Sequence, residues 1–146
     1  MTQVNSHDRA WKTLRLVYGL VPLLAGLDKF FNILTNWEQY LSPLAAQFLP
    51  VPASVFMGFV GIVEMVAGIA VLTRWTKPAA YVVAVWLAAI ALNLVSSGAY
   101  LDIAVRDLVM AAGAYSLAEL TAARETGSLR SRHPASRTAE VQSGAA

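Results

Sequence analysis

Four long apolar stretches follow one another along the chain, separated by shorter polar segments. They cover residues 13–34, 55–72, 78–95 and 100–120. Each stretch is close to the roughly 20 predominantly apolar residues that a helix needs to cross a bilayer. Pro78, at the start of the third, suits the first turn of a helix. The pattern predicts an all-α protein, an integral membrane four-helix bundle.

The segment between the first two stretches is mixed in polarity. Thr35 and Glu38 have the spacing of a capping box, and aromatic and leucine residues then recur at helical spacing as far as Phe48. Pro50 and Pro52 end the segment. We expect a short interfacial helix here, between spans one and two, with its tryptophan and tyrosine acting as anchors at the membrane surface.

The composition supports a membrane protein and narrows the chemistry. Hydrophobic residues make up 57% of the 146, and charged residues only 14%, whereas about a quarter of a soluble domain is charged. The chain contains no cysteine, which excludes disulfides and thiolate metal sites. Both histidines, His7 and His133, lie in polar tails, so neither a haem held by two histidines nor a histidine-built metal site is expected.

The basic residues give the expected orientation. They precede the first stretch, separate the second from the third and follow the fourth: Arg9, Lys12, Arg15, Arg74, Lys77, Arg124, Arg130, Arg132 and Arg137. The positive-inside rule then places both termini in the cytoplasm and the chain in the inner membrane. Residues 1–12 form a cytoplasmic segment, and residues 121–146 read as a disordered cytoplasmic tail. Because topology accounts for these charges, no nucleic-acid partner is expected.

Polar side chains interrupt all four apolar stretches. They are Asp28, Lys29, Glu64, Asn93, Asp102, Arg106 and Asp107. A charge at the bilayer centre costs about 2.5–3.5 kcal/mol, so such residues usually face the interior. We expect a shared, water-poor chamber that opens outward. Glu64 and Asp107 lie deepest and are the candidate catalytic, proton-exchanging acids; the other five are candidate ligand-binding residues. Glu64 is the best candidate to hold a proton, because its own helix carries no base.

A structural interpretation of the same residues stays open. Asp102 and Arg106 have the i,i+4 spacing of a stabilising ion pair, and buried ion pairs can simply fix helix register. Asn93 equally suits a hydrogen bond between helices. In the first stretch Gly19 and Gly26 share a face with Arg15 and Lys29, a pattern typical of close helix packing.

These motifs resemble a known family. Arg15-x3-Gly19-x6-Gly26-x2-Lys29-Phe30, Glu64 followed by Gly68, the turn at Arg74, and Arg106-Asp107 before Gly113 are similar to the pattern of DoxX-like proteins. The resemblance implies a four-helix membrane protein of bacteria or archaea that is associated with membrane redox systems. The related DoxD and DoxA subunits are linked to thiosulfate oxidation with quinone as the acceptor. Without cysteine, a sulfur anion would need an electrostatic site at Lys29 and Arg106.

Three functions fit the sequence. The chain is a subunit or accessory of a membrane redox system, with quinone or another small molecule bound in the charged pocket and, if enzymatic, part of a quinone-linked oxidoreductase. Alternatively it is a membrane scaffold that recruits a partner protein, or a transporter of a small solute or protons. The candidate partners are membrane lipid, the small molecule, and a partner subunit or further copies of the chain. No covalently bound cofactor is expected.

Overall fold

The computed structural model describes residues 2–132, and this part of the chain is helical without any strand. The long helices are α1 (Thr2–Asp28), α3 (Ala53–Leu72), α4 (Thr76–Ser97) and α5 (Leu101–Arg132). The connector between α1 and α3 contains a 3-10 turn (Trp37–Tyr40) and the short helix α2 (Pro43–Gln47). The prediction of an all-α fold is therefore confirmed for the described residues.

The four long helices form two closely packed antiparallel pairs. Helix α1 packs mainly on α3, and α4 packs mainly on α5. The contacts from α3 to α4 and from α1 to α5, which join the two pairs, are much less extensive. The two pairs therefore contact each other less extensively than the helices within each pair do.

Glycines bring α1 and α3 into backbone contact. A methyl group on Gly61 would lie 2.6 Å from the carbonyl oxygen of Gly26, and one on Gly68 would lie 2.5 Å from that of Gly19. Both distances are well inside van der Waals contact, so each position requires a residue without a side chain. The prediction that the glycine stripe serves close packing is confirmed.

Small and branched apolar residues fill the rest of the interior. One buried cluster consists of Tyr18, Val71, Ala79, Ala80, Val83, Ala114, Leu117 and Ala118. A second, nearer the connector, consists of Ala91, Leu94 and Ala104. Both clusters are built largely from α4 and α5, whose alanines let these two helices approach closely without exposing their backbones.

Large hydrophobic side chains cover the outside of every long helix. Leu24 is 59% exposed, Phe59 60%, Val85 71% and Val109 68%. Helices α3 and α4 are long and apolar enough to cross a membrane, and only 28% of the most apolar 18-residue stretch of each is buried. A core helix of a soluble protein would be mostly buried, so these apolar surfaces are suited to lipid or to a partner.

The first helix ends earlier than the predicted Leu34. Helix α1 stops at Asp28, and the chain turns through Asn32, which has a positive φ of 51°. The carboxylate of Asp28 accepts hydrogen bonds from the backbone N–H groups of Ile33 (3.0 Å) and Leu34 (3.1 Å). Since Asp28 satisfies the donors of the turn, residues 29–34 leave the helix despite their apolar character.

The last helix continues past the predicted end of the fourth span. The sequence predicted a disordered tail from residue 121, but α5 runs on to Arg132. Contacts with α1 hold the extension: the indole N–H of Trp11 donates to Thr121 Oγ1 at 2.8 Å, and Arg124 is hydrogen-bonded to Asp8. Its guanidinium also stacks over the Trp11 ring. The rest of the predicted tail, residues 133–146, lies outside the described part.

The connector contains two short helical pieces in place of the single predicted helix. The side chain of Asn36 caps the 3-10 turn by accepting from the Glu38 N–H at 3.1 Å. Ser42 caps α2 in the same way, accepting from the Ala45 N–H at 3.1 Å. Each piece thus has its own cap, and the connector packs against α3 and α4.

Candidate functional site

A buried ion pair joins α1 to α3. The ammonium of Lys29, one residue beyond α1, lies 2.6 Å from the carboxylate of Glu64, and the two side chains are only 5% and 9% exposed. Glu64 shares the buried face of α3 with Gly61 and Gly68, which brings the carboxylate beside the end of α1. The structure thus unites two of the predicted site residues from different helices.

An aromatic ring covers the ammonium from the connector side. The Trp37 ring centroid lies 3.8 Å from Lys29 Nζ, a close cation–π contact. The indole N–H of Trp37 donates to the carboxylate of Asp28 at 2.8 Å, which fixes the ring in place. The sequence predicted an interfacial anchor at Trp37, and no spacing or motif revealed this role.

Asp28 has a structural role in place of the predicted ligand-binding one. Its carboxylate is buried and is occupied by the indole of Trp37 and by the turn amides of Ile33 and Leu34. With these donors satisfied, the carboxylate orients Trp37 and closes the turn. It has little capacity left to bind a substrate.

Asp107, on the interior face of α5, lies within electrostatic range of the ion pair. Its side chain is half-buried and interacts electrostatically with Glu64 and Lys29 as well as with its neighbour Arg106. Within the described residues no hydrogen bond holds its carboxylate. Asp107 is therefore the acid of the cluster whose oxygens are available to accept a proton or a hydrogen bond.

Asp102 and Arg106 stay outside the cluster. Their side chains are 77% and 67% exposed and lie 3.9 Å apart, paired with each other along α5. The interior face of α5 follows a 3-4-3-4-3 series of positions, Ala104, Asp107, Ala111, Ala114, Ala118 and Thr121. Arg106 is about 100° away from Asp107 around the helix, which is why Asp107 lies on the interior face and Arg106 does not.

Asn93 ties the connector to α4. Its side-chain oxygen accepts from the Ser42 N–H at 3.1 Å, and its side-chain N–H donates to the Tyr40 carbonyl at 2.7 Å. Both ends of the amide are thus used by backbone groups. The structure places Asn93 in the structural role that the sequence left open beside ligand binding.

Glu64 has a basic partner, Lys29, which lies just beyond the end of α1 and which the sequence did not predict for it. Lys29 neutralises Glu64, so the acid without a paired base in the cluster is Asp107, in place of the predicted Glu64. The cluster therefore offers one N–H donor and two carboxylates. Such a set suits a neutral head group with carbonyl or hydroxyl oxygens better than an anion, which the second acid would repel.

The exposed apolar helices and the buried ion pair are typical of a helical membrane-associated protein. Residues 10–96 match the family model described as DoxX. This is more than half of the 146 residues, and the chain belongs to the DoxX family, as the motifs predicted. The match includes Lys29, Trp37 and Glu64 and ends before Asp107. Searches of curated proteins and of solved structures find no match to this chain.

Proposed function

We propose that this DoxX-family chain spans the cytoplasmic membrane four times with both termini in the cytoplasm. It binds a quinone, or another small molecule with a carbonyl-bearing head, at the cluster of Lys29, Glu64 and Asp107. In this proposal the chain is a subunit or accessory of a membrane redox system. The exposed hydrophobic surface on all four long helices supports the four spans.

The observation that carries the proposal is a buried base that has two acids near it, of which one is paired with the base and the other is not. Lys29 and Glu64 bind each other at 2.6 Å, whereas Asp107 interacts electrostatically with both and accepts no hydrogen bond from the described residues. A structural ion pair would need only the first two. The additional acid gives the cluster a group that can gain and lose a proton.

The chemistry of a quinone matches these three groups. A quinone takes up a proton at each carbonyl oxygen when it is reduced, and its site needs a donor at the carbonyl and an acid that exchanges protons. The ammonium of Lys29 supplies the donor, Asp107 exchanges the proton, and Glu64 holds Lys29 charged and in position. The electrons come from a redox partner in the same membrane.

Binding of a short-tailed ubiquinone or menaquinone analogue to the purified protein tests the proposal. Quenching of tryptophan fluorescence reports the binding, since Trp37 lies on the cluster. Asp107→Asn and Glu64→Gln are each expected to weaken binding by about tenfold or more, the loss of about one charged hydrogen bond. For Asp107→Asn the affinity is also expected to lose its dependence on pH.

Asp102→Asn is the matched control, because it makes the same change on the same helix at a 77% exposed side chain. We expect its affinity to stay within about twofold of the original chain. Absence of saturable binding in the unaltered protein would refute the proposal. Equal losses for Asp102→Asn and Asp107→Asn would refute the assignment of the site.

A further inference from the structure

Helices α1 and α5 contact each other from the level of Trp11 and Thr121 as far as that of Tyr18 and Met110. The hydroxyl of Tyr18 on α1 donates to the Met110 carbonyl on α5 at 2.7 Å, and the Tyr18 ring lies against Gly113, where no side chain would fit. Tyr18 is itself buried. At this level, toward the inner side, the seam between the two helices is closed.

The same seam opens toward the connector. Arg106 lies four residues before Met110 and seven before Gly113, so it is on the α1-facing side of α5. Its side chain is nevertheless 67% exposed, and that of Asp102, one turn further, is 77% exposed. Since α1 covers this side of α5 at Gly113 but not at Arg106, the two helices diverge toward their outer ends.

The opening leads to the buried ion pair. On α1, Ala25 lies seven residues after Tyr18, on the same side of the helix, and has only a methyl group; Lys29 follows one turn later. On α5, half-buried Asp107 follows exposed Arg106 and interacts electrostatically with both members of the pair. We call the gap lined by Ala25, Asp102, Arg106 and Asp107 the α1–α5 wedge.

The other approach to the ion pair, from the connector, is closed. Trp37 covers Lys29 at 3.8 Å and is fixed by its hydrogen bond to Asp28. Asn93 then holds the connector to α4 through two backbone hydrogen bonds. A water-soluble molecule coming from the outer side would have to displace this covered end of the bundle.

We propose that the α1–α5 wedge is a lateral entrance, through which the head group of a molecule dissolved in the membrane reaches Lys29, Glu64 and Asp107. This inference rests on the proposed function and narrows its ligand to an amphiphile with a polar, hydrogen-bonding head and an apolar tail. Asp102 and Arg106 lie exposed at the mouth of the wedge, paired with each other, and the head group passes them without binding to them. The tail stays outside against the apolar flanks of the helices, where Leu24 is 59% and Val109 68% exposed.

The absence of cysteine from the chain makes the entrance directly testable. Asp107→Cys introduces a single thiol inside the wedge, and Ala25→Cys introduces one on its opposite wall without removing a charge. Each variant, reconstituted in lipid nanodiscs, is labelled with an N-alkyl maleimide dissolved in the lipid and with a sulfonated maleimide confined to water. The ratio of the two rates cancels the intrinsic reactivity of each thiol.

Two control positions calibrate the ratio. Val109→Cys lies on the exposed apolar side of α5, and Gln39→Cys lies on the exposed surface of the connector. We expect both wedge thiols to follow Val109→Cys, with a ratio at least about tenfold above that of Gln39→Cys, because a sulfonate loses its hydration on leaving water. Adding Trp37→Ala should speed the reaction of the sulfonated reagent by uncovering the outer approach.

Two outcomes would overturn the entrance. Either the wedge thiols follow Gln39→Cys, so that the cluster is reached from water, or neither reagent reaches either of them in a protein whose helix content and thermal stability are unchanged. The experiment uses no ligand. A closed wedge would therefore leave the binding test of the proposed function standing, and a failed binding test would leave the labelling result intact.

Discussion

The two tightly packed helix pairs differ in the residue types that line their helix–helix contacts. The α1–α3 pair uses glycines, which let the backbones touch, and it encloses a buried ion pair. The α4–α5 pair uses alanine, valine and leucine and contributes most of the apolar core. Both pairs achieve close approach, but among the described residues the charged pair between α1 and α3 is buried, whereas the Lys77–Glu125 pair between α4 and α5 is exposed.

The difference indicates where the molecule keeps its chemistry. An alanine seam excludes polar groups by filling the space with methyl groups, whereas a glycine seam leaves space beside the backbone for a long side chain such as that of Lys29. The α4–α5 pair thus serves mainly as support. Its contribution to the site is Asp107, at a single position on the interior face of α5.

Removing Lys29 from the α1–α3 contact should have the largest effect on the free energy of unfolding. Lys29→Met leaves Glu64 buried without a partner, and we expect a loss of about 3–5 kcal/mol in the free energy of unfolding. Lys29→Met with Glu64→Gln should recover a large part of this loss. Denaturant unfolding in detergent micelles measures both changes.

Arg106→Met is the matched control, since this base is 67% exposed. It should cost less than about 1 kcal/mol, as expected of an exposed pair. A single Lys29→Met variant as stable as the double variant would show that the buried pair does not hold the seam.

A methyl group in the glycine seam should have the next largest effect. Gly61→Ala puts a carbon 2.6 Å from the Gly26 carbonyl oxygen, and we expect a loss of about 1–3 kcal/mol on unfolding in the same micelles. Gly58→Ala on the same helix is the control, because its methyl group would meet only Phe30 at 3.7 Å. Equal stability of the two variants would contradict the difference between the pairs.

The end of the α1–α3 pair opposite the connector should show a smaller effect on stability. Arg15 donates to the carbonyls of Val71 (3.2 Å), Leu72 (2.5 Å) and Thr73 (2.8 Å), which the end of α3 leaves without helical partners. Arg15→Gln should cost about 1–2 kcal/mol, because charged donors are lost from these carbonyls. Hydrogen exchange should quicken in the last turn of α3, while the exposed control Arg9→Gln leaves that turn unchanged.

The smallest effect concerns the lighter contact between α1 and the α5 extension. Hydrogen bonds from Lys12 and Arg124 lower the pKa of Asp8 from its ordinary value of 3.8. The contact is therefore fully present above pH 3.8, and it is lost as the pH falls through the lowered pKa. Carboxyl carbon NMR should find the Asp8 midpoint below 3.8, and Arg124→Gln should move it upward. An unmoved midpoint would show that Arg124 does not act on Asp8.

Several features could be predicted because they repeat at helical spacing. The glycine stripe of α1 and the face of α3 that carries Glu64 both follow the 3-4 rhythm of a buried seam, and both face inward. The same rhythm in α5 selects Asp107 and leaves out Arg106. Charge alone misled the prediction at Arg106, whereas the small residues before and after Asp107 identify the interior face.

Other features depend on contacts between distant residues. The end of α1 at Asp28 is set by a carboxylate that accepts turn amides, although the next six residues are mostly apolar. The cover of Lys29 by Trp37 and the helical extension of α5 against Trp11 leave no periodic mark in the sequence. Only the packed structure brings these partners together.

Asn93 links parts of the molecule that the chain order keeps apart. The connector joins α1 to α3, yet the amide of Asn93 fastens it to α4, the helix of the opposite pair. A tilt of α4 would be transmitted through this clasp to the connector and to the indole that rests on Lys29. A movement in the α4–α5 pair would thus change how Trp37 covers the buried ion pair of the α1–α3 pair.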